Sequence, residues 1–163
     1  MFRNMRRTNQ ELSREQTVEI LEKCNNGTLA CLGDDSYPYA VPMSYVYSND
    51  RIYFHSAKTG HKIDAMLKEP RVSFAVIEED QIISEEYTTY FRSVIAFGKA
   101  RIVEGEEWQE AIMAIINKYS GDRPSSEKMQ KITEAVPFHI IAIDIEHLTG
   151  KESIELTTQG LES

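Results

Sequence analysis

The residues of this chain best suited to chemistry fall in one short stretch, Ser56-Ala57-Lys58-Thr59-Gly60-His61-Lys62. It lies between an apolar run (Ile52, Tyr53, Phe54) and a short helical one. Small hydroxyl residues and Gly60 let backbone amides approach a ligand closely. A helix opening at Lys62 adds the positive end of its dipole, and His61 and Lys62 supply cationic or donor groups. That chemistry is the holding of an anion, and a phosphate fits it. Ser, Thr and Gly also open helices merely as caps, so the segment by itself leaves both readings open.

Little else in the chain competes for a chemical role. Cys24 and Cys31 have the spacing of neither a metal pair nor a redox C-x-x-C motif, and read as reduced packing thiols. His55 and His61 flank the loop, while His139 and His147 fall eight apart in a strand-like run. No histidine, cysteine and carboxylate set has ligand spacing, so no metal is expected. The formal net charge of -8 argues against nucleic acid or an anionic membrane as partner, because both are held mainly through Lys and Arg. No apolar stretch approaches the roughly 18 residues of a membrane helix. The start Met1-Phe2-Arg3-Asn4-Met5-Arg6-Arg7 lacks a signal peptide's apolar centre, so the expected compartment is the cytoplasm.

The elements that must position the loop can be read from periodicity. Ser13 and Gln16 have the spacing of a capping box, and Thr17, Ile20, Leu21 and Cys24 then share one helical face. From Thr28 the pattern is strand-like: Thr28 to Leu32, a turn at Gly33-Asp34-Asp35-Ser36, Tyr39 to Tyr47, a turn at Ser48-Asn49-Asp50, and Arg51 to His55. Pro42 cannot donate a ladder hydrogen bond, so its strand belongs at an edge or carries a bulge, leaving backbone groups for something else such as a planar ring. Lys62 to Lys68 reads as a short helix with Ile63, Met66 and Leu67 inward, and Arg71 to Ile77 as a further strand. Glu78 to Tyr90 is acidic and reads as an irregular exposed connection able to reach a partner subunit. Arg92 to Val103 reads as a long strand interrupted at Gly98. A helix striped by Trp108, Ala111, Ile112, Ile115, Ile116 and Tyr119 follows, then a polar helix Ser125 to Ala135 and a last strand Phe138 to Glu146. The 41% hydrophobic content of 163 residues supports one core and one domain over 1-163, centred on about 10-151 with a tail at 152-163. The order of elements favours an α+β, mainly β fold around a six-stranded antiparallel split β-barrel with flanking helices.

Taken together, several segments resemble one family. They are Tyr37-Pro38-Tyr39-Ala40-Val41-Pro42-Met43, Ile52-Tyr53-Phe54-His55-Ser56, Gly60-His61-Lys62, Pro70-Arg71-Val72-Ser73-Phe74, Ser93 through Ala100, and Ile145 through Lys151. In order and spacing they are similar to the pyridoxamine 5'-phosphate oxidase-like split-barrel flavoproteins, and most similar to the 5-nitroimidazole resistance (Nim), or flavin-nucleotide-binding, branch. The resemblance implies a homodimer holding flavin mononucleotide (FMN), with FAD as an alternative, at the subunit interface. It implies Val41, Pro42, Met43 and Ser44 beside the isoalloxazine, His55 and Ser56 at the ring or ribityl side, and His61 and Lys62 at the phosphate. Arg92 and Ser93 would reach the flavin from the second subunit.

The implied activity is FMN-dependent reduction of nitroimidazole or related nitroaromatic small molecules, with His61 or His55 as candidate proton donor and no catalytic residue assigned. A flavin-binding protein without turnover, for storage, sensing or scavenging, is the alternative. The chain departs from the oxidase proper: Ser93 stands where a glutamine commonly contacts flavin, and the sole tryptophan is Trp108. Vitamin B6 oxidation is therefore not expected. Haem, which some members bind, would need His139 or His147 as axial ligand, and both read more simply as strand residues.

Overall fold

A computed structural model of the protein describes residues 1–134 and 137–159. Ser13 closes the expected capping box: its hydroxyl accepts from the Gln16 amide at 3.2 Å, and Gln16 Oε1 accepts from the Ser13 amide at 3.0 Å. The helix so started, α1 (Arg14–Lys23), buries Thr17, Ile20 and Leu21. Seven strands form one sheet: β1 (Asn26–Leu32), β2 (Pro38–Ser44), β3 (Val46–Ser48), β4 (Arg51–Ala57), β5 (Arg71–Ile83), β6 (Thr88–Ile102) and β7 (Phe138–Glu152). Their order is β2-β1-β5-β6-β7-β4-β3, and every pairing is antiparallel. Helices α2 (His61–Lys68), α3 (Gly105–Ser120), α4 (Ser125–Glu134) and α5 (Ile154–Gln159) complete the chain. Ala135, the expected end of the polar helix, and residues 160–163 of the tail lie outside the described residues.

The α+β, mainly antiparallel class holds, but the six-stranded barrel needs two corrections. The run from Tyr39 to Tyr47 is broken at Tyr45, which makes seven strands. Tyr45 is fully buried, donates its hydroxyl to the Leu21 carbonyl at 2.8 Å, and meets Phe74 edge-on at 5.1 Å, so the chain bends where this side chain is drawn inward. Nor do hydrogen bonds close the sheet. β2 and β3 are its two edges, and they meet through Tyr45 itself rather than through a ladder. The placement of Pro42 on an edge strand agrees with the expectation from its missing N–H.

A third correction concerns Glu78 to Tyr90. The β5–β6 ladder continues through it to Ile83 opposite Thr88, with a shift in register between Ile77 and Glu79. Acidic residues are poor strand formers, but on a ribbon with free edges they keep those edges from pairing with other chains. The last strand likewise runs beyond Glu146, to Glu152.

Two cores divide the sheet's faces. Ile141 and Ile143 of β7 join Phe54, Phe74, Leu29 and the α1 and α2 side chains in the larger one. The alternate residues Ile140 and Ala142 pack with Tyr53 under Ala111, Ile112 and Ile115 of α3. The expected α3 stripe is thus core from Trp108 to Ile116, with Trp108 packed on Phe138 at 5.9 Å between ring centroids, while Tyr119 at its end departs from the expectation and is exposed. Leu67 departs from its expected inward place and is 67% exposed. At 100° per residue the buried arc of α2 runs through Ala65, Met66 and Ile63, and Leu67 falls outside it. Lys62 falls inside it.

α3 covers only one end of its face of the sheet. At the other end Ala75 opposite Ile95 and Ser73 opposite Phe97 form open rows, with His147 opposite Phe97 on the next strand. Ile77, Ile95 and Phe97 are exposed there.

Candidate functional site

β4 ends at Ala57, and Lys58, Thr59 and Gly60 carry the chain into α2. Gly60 takes φ 124°, ψ 167°, a conformation essentially confined to glycine. No side chain caps α2: its first turn closes only through the Asp64 amide donating to the Gly60 carbonyl at 3.0 Å. The alternative reading of the loop, as a helix cap built from Ser and Thr side chains, is therefore not what the chain does. The first-turn amides and the positive end of the helix face the loop instead.

Lys62 lies on the buried arc between Ala65 and Met66, and its Nζ stands 5.8 Å from the centroid of the Phe54 ring. Among the described residues no carboxylate comes within ion-pair distance of it. Burial pulls its pKa down from the ordinary 10.5, with a small opposing effect from Cys31. Burial also pushes the Cys31 thiol up. The neighbouring cation differs sharply. Arg71 donates to Glu69 through Nε at 2.8 Å and a terminal nitrogen at 2.6 Å, so its guanidinium is already neutralised. The Glu69 carboxyl falls to about 2, chiefly through the hydrogen bond from Arg71.

His61 turns away from the loop toward the β1–β2 connection. Its Nε2 accepts from the Asp34 amide at 3.3 Å, and its ring stacks on Tyr39 at 4.3 Å and 20°. A Cβ on Gly33 would come within 2.8 Å of that Nε2, so glycine is what lets the imidazole settle there.

The structure separates several of the other expected site residues. On β2, Val41 and Met43 pack against the larger core while Pro42 and Ser44 are exposed, so only the second pair and the strand backbone face outward. Ser56 is buried and His55 exposed, because successive residues of β4 point to opposite faces. His55 meets Phe138 edge-on at 6.2 Å, on the α3 side and away from Lys62. Arg92 is paired with Glu152 at 3.1 Å, and Ser93 lies opposite Ile77 and Lys151. Helix α2 packs near Ala100–Ile102 of β6, so Arg92 lies roughly 25–30 Å farther along that strand. Within one chain, Arg92 and Ser93 do not join the loop.

Sequence reasoning missed a cavity of about 330 Å³ on the open half of the sheet, bordered by Cys31, Leu32, Ser73, Phe97 and Phe2. The outward alternation of β1 and β6 was the available signal, but nothing in it announces Phe2. Among the described residues no group of three or more His, Cys, Asp or Glu could hold a metal ion. Nor is any described helix long and apolar enough to cross a membrane. His139, opposite Ser56, and His147, opposite Phe97, sit at separate places along β7 and do not converge.

Comparison with known proteins adds the following. The sequence model of the pyridoxamine 5'-phosphate oxidase family matches residues 13–152. Over 67 residues the chain is 39% identical to an uncharacterized protein of Rhizobium meliloti (strain 1021), a likeness spanning 41% of this chain and 43% of that protein's length. The fold is similar to that of a candidate 5-nitroimidazole antibiotic resistance protein of Bacteroides thetaiotaomicron, with TM-score 0.71 and 21% identity over 87% of this chain and 86% of that one. It is also similar to a FAD-binding protein of Mesorhizobium loti, with TM-score 0.60 and 28% identity over 88% and 97%.

Proposed function

The chain belongs to the pyridoxamine 5'-phosphate oxidase family, and on that footing we propose that it holds FMN by its phosphate at the start of α2. We propose further that it acts as an oxidoreductase on nitroimidazole or related nitroaromatic compounds. The observation that carries the grip is Lys62. An inward ammonium without a carboxylate, next to a helix start without a side-chain cap, is a donor set lacking an acceptor. A terminal phosphate supplies one. The likeness to a FAD-binding protein supports a flavin, and FAD is the alternative occupant.

A bound flavin supplies hydride and electron transfer, and the protein supplies grip, orientation and access. Lys62 and the first-turn amides of α2 hold the phosphate. Pro42, Ser44 and the free edge of β2 border the ring, with Val41 and Met43 contributing backbone alone. Ser56 stands at the mouth of the loop. His61 serves the phosphate only by leaving the Asp34 amide. Arg92 and Ser93 are too far along β6 to serve their own chain's loop, so they serve the flavin of a second copy in a homodimer. The open rows carrying Ile77, Ile95 and Phe97 offer that copy an apolar face. Vitamin B6 oxidation stays outside the reading, because Trp108 is spent on packing against Phe138.

One observation favours a second reading, flavin binding without turnover. Neither candidate proton donor is poised: His61 is engaged by the Asp34 amide, and His55 lies on the face of β4 away from Lys62. The visible spectrum of the purified protein and the mass of its released chromophore test for flavin. Loss of nitro absorbance when a nitroaromatic is mixed with the protein and a reductant then separates the two readings. Turnover supports the oxidoreductase, and bound flavin without turnover supports storage or sensing. A protein that neither carries nor takes up flavin contradicts both.

A further inference from the structure

A second cavity, of about 110 Å³, lies between the end of α3 and the helix α4, and three of the six side chains lining it are cations: Arg123, Lys128 and Lys131. Ile116, Ser120 and Glu127 complete the lining. In a chain of net charge -8 such a gathering is not the overflow of a basic surface. Lys128 is only 9% exposed, and its ammonium donates to Asn117 Oδ1 and to the Gly121 carbonyl, both at 3.2 Å. Both acceptors are neutral. Two of the three ammonium donors are used in this way, and among the described residues the charge itself has no counter-ion, although a buried ammonium ordinarily has one.

Capping of the last α3 carbonyls accounts for Lys128 taken alone. It does not account for the other two cations. Arg123 reaches only Asp122, its neighbour in sequence, at 4.0 Å, with the two side chains 62% and 82% exposed, and a pair of that kind is worth little. Among the described residues Lys131 makes no ion pair, and neither does Glu127, one turn before it on α4. Three cations stand against one carboxylate, so a doubly charged anion balances the cavity where a singly charged one does not. We propose that this cavity binds a small, doubly charged oxyanion of phosphate size, held by Arg123, Lys128 and Lys131 with the Ser120 hydroxyl as a further donor. One wall is in place before any ligand arrives: the Tyr119 hydroxyl donates to the Tyr45 carbonyl at 2.7 Å and accepts from the Tyr45 amide at 3.0 Å, which ties the end of α3 to the sheet. No lining residue belongs to the loop before α2 or to the open rows of Ile77, Ile95 and Phe97, so the site stands or falls separately from the flavin grip and from the homodimer.

Inorganic phosphate is the probe, added to the purified protein at about pH 8, where it is doubly charged, with ionic strength held constant by sodium chloride. Amide NMR spectra are expected to show saturable shifts at Ser120, Gly121 and Arg123, with the same affinity in wild type and in Lys62→Met. Arg123→Gln and Lys131→Gln, both at exposed positions, each weaken binding by about three- to thirtyfold. Glu127→Gln removes the one repelling carboxylate and tightens binding by about two- to fivefold, a gain that damage to the fold does not produce. Shifts that never saturate, or that chloride alone reproduces, overturn the assignment. Equal affinity in wild type, Arg123→Gln, Lys131→Gln and Glu127→Gln does so as well. Shifts confined to the loop before α2 and lost in Lys62→Met place the anion there and overturn it too.

Discussion

The ammonium of Lys62 stands 5.8 Å above the ring of Phe54, inside the buried arc of α2 and without a carboxylate partner among the described residues. The aromatic face offsets part of the cost of holding a charge there, but a cation–π contact replaces an ion pair only in part. A residue that costs the fold something is a functional candidate, and the two roles come apart on mutation. Lys62→Met keeps the length and apolar stem of the side chain and removes the charge. It is expected to leave the fold intact or raise its stability by on the order of 0.5–1 kcal/mol, while weakening FMN binding by about 10- to 100-fold. Denaturant unfolding alongside a flavin titration checks both. A lysine that merely packs would show the reverse, lost stability with unchanged affinity.

The depressed pKa of Lys62 gives the grip a pH dependence of defined sign. Burial disfavours the charged form, so the folded value lies below 10.5 and its stability penalty is relieved as pH rises through that value. A bound phosphate favours the charged form. Affinity for FMN is therefore full between the phosphate's second pKa of about 6 and the depressed lysine pKa, and declines above it. Titrations across the alkaline range should show that decline in wild type and a flat profile in Lys62→Met.

Gly60 sets the direction in which the loop enters α2. With φ 124° and nothing within 4 Å of where a Cβ would stand, Gly60→Ala meets no clash and is penalised through the backbone alone. The expected cost is about 1–3 kcal/mol. If the loop relaxes instead, the first-turn amides are re-aimed and FMN affinity drops. Thermal unfolding and flavin titration of the variant measure the two outcomes.

Asp144 joins three strands. Its carboxylate accepts from Arg101 Nε at 2.6 Å and from Arg51 Nε at 2.6 Å, and Arg101 also reaches Glu107. The hydrogen bond from Arg101, then that from Arg51, holds its pKa below the ordinary 3.8. This stabilisation is present above the ordinary value and is lost as pH falls through the depressed one. Because the side chain is 41% exposed, Asp144→Asn is expected to cost only about 1 kcal/mol, with a shallower loss of stability in acid than wild type. Unfolding curves at neutral and acid pH compare the two slopes.

How far the sequence carried the fold and the site depended on how local each signal was. The Ser13–Gln16 box, the α3 stripe and the edge position of Pro42 were legible because each depends on neighbours in sequence. Tyr45 was not: only its reach to Leu21 and Phe74 breaks the strand, and no period reveals that. Glu78 to Tyr90 misled because composition describes a solvated edge as readily as a loop. At the site, the loop was singled out from its composition, but the inward face of α2 was read through Leu67 instead of Ala65, and the place of Lys62 on the buried arc came only with the structure. The diversion of His61 to the Asp34 amide and the seating of Phe2 on His147 join residues distant in sequence, and pattern alone contains neither.

The most direct test of the account is a titration of FMN into the wild-type chain and into Lys62→Met, read by quenching of flavin fluorescence. The account predicts saturable binding by the wild type and a marked loss in a variant that remains folded. Absence of binding to the wild type, or equal binding to both, would contradict it.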